Sequence, residues 1–194
     1  MFTKVQAEIM KLFASSIDKR FSRKQVSDIL KKPYPLIHRN IKVLLIQKFL
    51  KKDDKGFISL NYKNNISELS YIESLRKNKF LGKEKTFSLF AEDVLNSIKS
   101  DFFIFLVFGS SVEKKGRDMD VLFITEKNTN EIEKAIINIS SNFSVKIDVN
   151  VISAESAYEM LQKREQKNLL NETLNKHIII FGAENYYRIL KNAR

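Results

Sequence analysis

The sequence predicts an α+β fold: a small helical unit with a β hairpin over residues 1–62, a helical connector over 63–100, and a small mixed-sheet domain over 101–194. Three observations carry this. Apolar residues recur at helical spacing through most of the first hundred positions. Beyond them, "FFIFLVF" (102–108) is apolar throughout and 144–152 alternates apolar with polar, both of which are strand patterns. The charge divides close to the same place: residues 1–90 hold 20 Lys/Arg against 8 Asp/Glu, whereas 91–194 hold 14 against 15.

Composition narrows the function classes. A chain of 194 residues with 43% hydrophobic content can bury one good core or two small ones, and the two-part pattern favours two. The absence of Cys excludes disulfides, zinc thiolates and thiol nucleophiles. With only His38 and His177, a histidine-based metal site is not expected. The longest apolar run, 102–108, is too short to span a bilayer, and the N-terminus does not read as a signal peptide. The expectation is a soluble, cytoplasmic protein with no membrane partner. The net charge of +11 attracts polyanions, nucleic acid above all, although a Lys-rich surface can also be merely solvated.

In the first unit, Val5, Ile9, Leu12 and Phe13 predict one face of a helix over 3–14. Ser22 followed by Gln25 is a capping box for a second helix, with Phe21 and Val26 as its staple and Val26, Ile29 and Leu30 as its buried face. Pro35 suits the first turn of a third helix, whose core face is Ile37, Ile41, Leu44 and Leu45. Asp53-Asp54-Lys55-Gly56 is a turn between two short strands. Three short helices with a tight break before the third form a helix-turn-helix pattern, and the hairpin adds a wing. Tyr34, His38, Arg39 and Lys42 on the third helix are then expected to reach DNA bases. Lys31, Lys32, Lys51, Lys52 and Lys55 lie nearer phosphates. A protein-interaction domain of the same shape is the alternative. The unit resembles the winged helix-turn-helix domains of archaeal and bacterial regulators, on Lys32-Pro33-Tyr34-Pro35 and His38-Arg39-Asn40-Ile41-Lys42.

The connector reads as two helices, 66–81 and 88–100. Arg76, Lys77, Lys79, Lys83 and Lys85 extend its positive surface. Residues 153–163 and 168–177 predict two further helices. Tyr186, Tyr187, Ile189 and Leu190 form an apolar face on the last one, suited to packing on the sheet or to a homodimer contact.

Candidate chemistry concentrates between Phe108 and Asp148. Gly109-Ser110 ends the apolar strand. Asp118 and Asp120, two apart in the next strand, point to one face. Asp148 shares a face with Lys146 and Asn150 in the third strand, opposite Val145, Ile147, Val149 and Val151. Neighbouring carboxylates repel unless a cation lies between them, and hard oxygen ligands suit Mg²⁺ or Mn²⁺. A glycine turn lets phosphate oxygens approach backbone N–H groups. Together these are the parts of phosphoryl or nucleotidyl transfer.

Gly109-Ser110, the following loop and Asp118-x-Asp120 resemble the signature of the DNA polymerase beta-type nucleotidyltransferase superfamily. The shape is similar to its minimal nucleotidyltransferase group, including archaeal-type proteins with an N-terminal winged helix. The C-terminal segment 177–191 resembles the same group. The resemblance implies that Asp118, Asp120 and Asp148 are catalytic metal ligands for Mg²⁺ or Mn²⁺, with Asp148 helping to activate the attacking hydroxyl. It also implies that Gly109 and Ser110 hold the triphosphate of an NTP, with ATP expected. The loop 111–117 is seven residues long, shorter than in many members, and Lys114, Lys115 and Arg117 stand where small members carry an Arg. The implied activity moves NMP from an NTP to a hydroxyl on a protein, a small molecule or an RNA end. The alternative is a DNA-binding regulator, or the antitoxin partner of a toxin, whose second domain only binds nucleotide or is inactive.

Overall fold

A computed structural model of the chain describes residues 2–100, 102–112, 118–163 and 165–193. Helix α1 (Lys4–Ala14) opens on a capping box in which Thr3 and Gln6 exchange bonds. Helix α2 (Arg23–Leu30) opens on the Ser22–Gln25 box expected from its sequence. Pro35 lies in the first turn of α3 (Tyr34–Ile46). Strands β1 (Leu50–Lys52) and β2 (Ile58–Leu60) pair antiparallel across a turn in which Gly56 N–H donates to the Asp53 carbonyl. Phe21 and Ile58 exchange backbone bonds of 2.9 Å in each direction, so Phe21 adds a third edge to this hairpin.

Two helices follow, α4 (Ile66–Leu81) and α5 (Lys85–Ser97), and then strand β3 (Phe103–Phe108). Gly109–Val112 forms a 3-10 turn. Strand β4 (Asp118–Thr125), α6 (Thr129–Ser140), β5 (Lys146–Ser153), α7 (Ala154–Gln162), α8 (Leu169–Thr173), β6 (His177–Phe181) and α9 (Ala183–Ala193) complete the described chain. The sheet order is β5-β4-β3-β6, with β4 and β5 parallel and the other pairs antiparallel. The chain is therefore a mixed α+β protein with small sheets. Among the described residues no helix is long and apolar enough to cross a membrane.

The apolar cores divide by sheet face. One cluster runs from Ile9, Phe13 and Ile37 in the first unit through Leu69 and Ile72 of α4 to Leu106, Leu122 and Tyr187. The other places Phe87 and Phe90 of α5 and Ile136 of α6 against Phe105, Val121 and Phe123. Ring centroids of Phe105 and Phe123 lie 4.4 Å apart, in stacked orientation. Helix α5 is therefore core material for the sheet and not a solvated rod.

Several sequence expectations change. Met10 and Ala14 are fully buried on α1 beside Ile9 and Phe13, which widens the expected face, while Val5 and Leu12 pack half-buried at its margin. Ile29 is 50% exposed, because α2 packs through Val26 and Ser27 instead. The helix expected over 168–177 stops at Thr173, since Ser16 and Asn175 form a β-bridge. Tyr186, Tyr187 and Leu190 are buried within the chain against α4 and β3, so these three take the packing role expected of this face, and Ile189 is half-buried. Gly182 (φ +77) leaves β6 where any Cβ would collide with the Phe103 carbonyl, which explains the glycine there.

Candidate active site

Four residues on four adjacent strands form one row. Asp148 pairs with Asp120, Asp120 with Phe108, and Phe108 with His177. Registered partners project from the same face, so the row runs from an open carboxylate edge at β5 to a buried histidine at β6. One pair further out, Asp118 lies opposite Lys146. The parity of β4 and β5 thus does what the sequence implied: Asp118, Asp120 and Asp148 share a face, and the apolar residues between them fill the other side.

The acids lie at an open edge. The side chains of Asp118 and Asp148 are 56% and 49% exposed. Asp120 is half-buried, and its carboxyl is raised above the ordinary range. Burial is the first cause, and the charges of Asp148 and Asp118 add to it, while Lys146 partly offsets them. Lys146 Nζ lies 3.5 Å from Asp118 Oδ2 and 3.8 Å from Asp148 Oδ2.

Gly109 follows β3 directly with φ +79. A Cβ built there would lie 2.7 Å from Asp120 Oδ2. The missing side chain is therefore a matter of space as well as of backbone shape: it keeps the carboxylate clear. The turn is tied down from behind. Gly109 N–H donates to the Lys176 carbonyl at 3.2 Å, and Lys176 N–H donates to the Ser15 carbonyl after α1 at 3.0 Å. Ile17 N–H reaches the Leu174 carbonyl at 3.0 Å. The loop after α1 thus braces the segment that holds the glycine turn. Ser110 is exposed, and Ser111 Oγ donates back to the Phe108 carbonyl at 3.3 Å. Lys114, Lys115 and Arg117 lie outside the described residues.

Carboxylate oxygens are the donors a hard divalent cation prefers, and the missing side chain at Gly109 leaves Asp120 Oδ2 uncovered. Among the described residues, however, no three His, Cys, Asp or Glu side chains are gathered as a metal cage. Backbone register brings the acids to one edge, while the side chains of Asp118 and Asp148 lean toward Lys146.

A second polar cluster, absent from the sequence expectations, backs the row. Arg76, expected on the positive surface, is only 7% exposed. Its Nη1 donates to both Glu73 carboxylate oxygens at 2.6 Å, and its Nη2 donates to the His177 carbonyl. Tyr187 Oη donates to Glu73 Oε1 at 2.9 Å, and His177 Nε2 lies 3.8 Å from that oxygen. Burial pushes the Glu73 carboxyl up, but Arg76, His177 and Tyr187 outweigh it and hold it below its ordinary value. Burial also pushes His177 below its ordinary value, with Glu73 pulling the other way. The signal available in the sequence was the i, i+3 spacing of Glu73 and Arg76 beside the core residue Ile72.

On the first unit, Tyr34, His38 and Lys42 occupy one stripe of α3, all exposed, with Arg39 beside them. The Tyr34 and His38 rings lie 5.9 Å apart. Lys31, Lys51, Lys52 and Lys55 are also exposed. Lys32 differs: its Nζ pairs with Glu8 Oε2 at 2.9 Å, which ties α1 to the break before α3 and draws its charge inward.

Comparison with family models, curated proteins and solved structures yields no match to this chain.

Proposed function

We propose that the chain is a metal-dependent nucleotidyltransferase that moves NMP from an NTP to a hydroxyl acceptor. The observation that carries this is the register of Asp120 against Asp148 beside Gly109, whose absent side chain leaves Asp120 Oδ2 open. Asp118, Asp120 and Asp148 hold Mg²⁺ or Mn²⁺, which when bound neutralises charge on the phosphates of the NTP. The Gly109 N–H, expected to meet phosphate, is instead held by the Lys176 carbonyl, so Gly109 gives the triphosphate room and the exposed Ser110 contacts it. Asp148, exposed at the edge strand, accepts the proton of the attacking hydroxyl. The acceptor oxygen bonds to the α-phosphorus as the bond to pyrophosphate breaks, so pyrophosphate leaves. Incubation with α-labelled ATP, Mn²⁺ and candidate protein and RNA acceptors tests this. Label should transfer with wild type and be lost with Asp118→Asn plus Asp120→Asn. Transfer that survives both substitutions overturns the assignment.

A second reading is favoured by the exposed stripe on α3. In it the first unit is a winged helix-turn-helix that binds DNA, and the protein acts as a regulator or antitoxin. Tyr34, His38, Arg39 and Lys42 face the groove, and Lys31, Lys51, Lys52 and Lys55 face phosphates. Binding of duplex DNA should weaken steeply with salt and weaken further in Arg39→Ala plus Lys42→Ala. Absence of duplex binding at about 50 mM salt rejects it.

A further inference from the structure

Lys146 carries no assigned role, yet among the described residues it is the basic side chain that pairs with these acids. It lies two positions before Asp148 on β5 and directly opposite Asp118 on β4, so register fixes it on the acidic face. Its ammonium reaches Asp118 and Asp148 with the same oxygens that a metal would need. Its side chain is 65% exposed, and both contacts are longer than an ideal charged hydrogen bond. Such a pair is loose, and the flexible four-carbon stem lets the ammonium leave.

Resting on the reading that Asp118, Asp120 and Asp148 hold a divalent cation, we propose that Lys146 is a built-in counter-cation that competes with the metal. In the metal-free protein it relieves the repulsion among three carboxylates. A metal ion arriving alone must displace it and then tolerate its charge nearby. A metal ion arriving with a triphosphate gives the displaced ammonium new anionic partners. The acids therefore favour the metal–nucleotide complex over the free ion.

Titration with Mn²⁺ alone, with free Mn²⁺ followed by electron paramagnetic resonance, tests this on the full chain. Wild type, Lys146→Met, Lys146→Arg and Asp118→Asn plus Asp120→Asn are compared, with circular dichroism confirming folding. Lys146→Met should bind Mn²⁺ about threefold to tenfold more tightly than wild type, from removal of one nearby charge. Lys146→Arg, which keeps the charge, should bind like wild type. With a non-hydrolysable ATP analogue present, the gap between wild type and Lys146→Met should shrink below about twofold, because the ammonium already has its new partners. Lys146→Met that binds no more tightly than wild type, while the double Asn variant loses Mn²⁺, overturns the role of Lys146 alone. A gap unchanged by the analogue overturns the preference for the complex. Equal binding by wild type and the double Asn variant overturns the metal reading and this inference with it.

Discussion

The same face of one sheet carries two charged clusters about two strands apart, and they solve opposite problems. Glu73, Arg76, His177 and Tyr187 lie buried behind β6, and the Glu73 carboxylate is met by Arg76 and the Tyr187 hydroxyl. Asp118, Asp120 and Asp148 lie at the open end, with like charges side by side and one exposed lysine among them. Burial with partners lowers the Glu73 carboxyl, whereas burial beside like charges raises that of Asp120. In the first cluster the Glu73 carboxylate is satisfied within the chain, although both ring nitrogens of His177 are buried without a hydrogen bond among the described residues. The second is offset within the described residues only in part, by Lys146, and leaves a raised carboxyl at Asp120, the perturbation on which the proposed binding site rests.

Breaking the buried cluster gives the largest effect. Arg76→Met leaves Glu73 charged and the His177 carbonyl without its guanidinium, and should cost about 3–5 kcal/mol in urea unfolding. Adding Glu73→Leu to it should recover most of that loss. Equal stability of the single and double variants contradicts the pairing.

Gly109→Ala is expected to cost about 1–3 kcal/mol, since the position combines positive φ with a Cβ contact on Asp120. Its sharper consequence is loss of binding of a fluorescent ATP analogue in Mn²⁺. Unchanged nucleotide affinity would separate the turn from the site.

His177 sets a pH dependence. Its folded value lies below its ordinary 6.5, so its contribution is fully present above 6.5 and is lost as pH falls toward the folded value. Urea midpoints should drop below pH 6.5, with a slope of at most about 1.4 kcal/mol per pH unit for one proton. His177→Gln should flatten that slope.

How far the sequence foretold these clusters follows from what each depends on. The exposed site rests on strand parity, which is local: Asp118 and Asp120 two apart, and Asp148 and Lys146 on the polar side of an alternating strand, are readable in one dimension. The capping box at Ser22 and the turn at Gly56 are local in the same way. The buried cluster depends on which residues meet across more than a hundred positions, Glu73 with Tyr187 and Arg76 with His177, and no periodicity encodes that. Arg76 stood among Lys77, Lys79, Lys83 and Lys85 and read as surface. Lys32 read as a free phosphate contact because its partner, Glu8, is on another helix. The bracing of Gly109 through Lys176 to Ser15 uses only backbone groups, which side-chain identity does not announce.

The smallest effect bears most directly on the central claim that the acidic edge awaits a cation. Because its folded carboxyl is raised, Asp120 contributes stability below its unfolded value that is lost as pH rises through the folded one, so at neutral pH its charge is a net cost. Thermal unfolding of wild type and Asp120→Asn at pH 7.5, with and without Mn²⁺, reads this in one experiment. Without metal, Asp120→Asn should melt about 1–3 °C above wild type, the shift being small because solvent screens this edge. With Mn²⁺, wild type should rise and Asp120→Asn should not, so that the gap closes or reverses. Mn²⁺ that leaves both melting temperatures unchanged, or raises both equally, would contradict the assignment of this edge as a metal-dependent site.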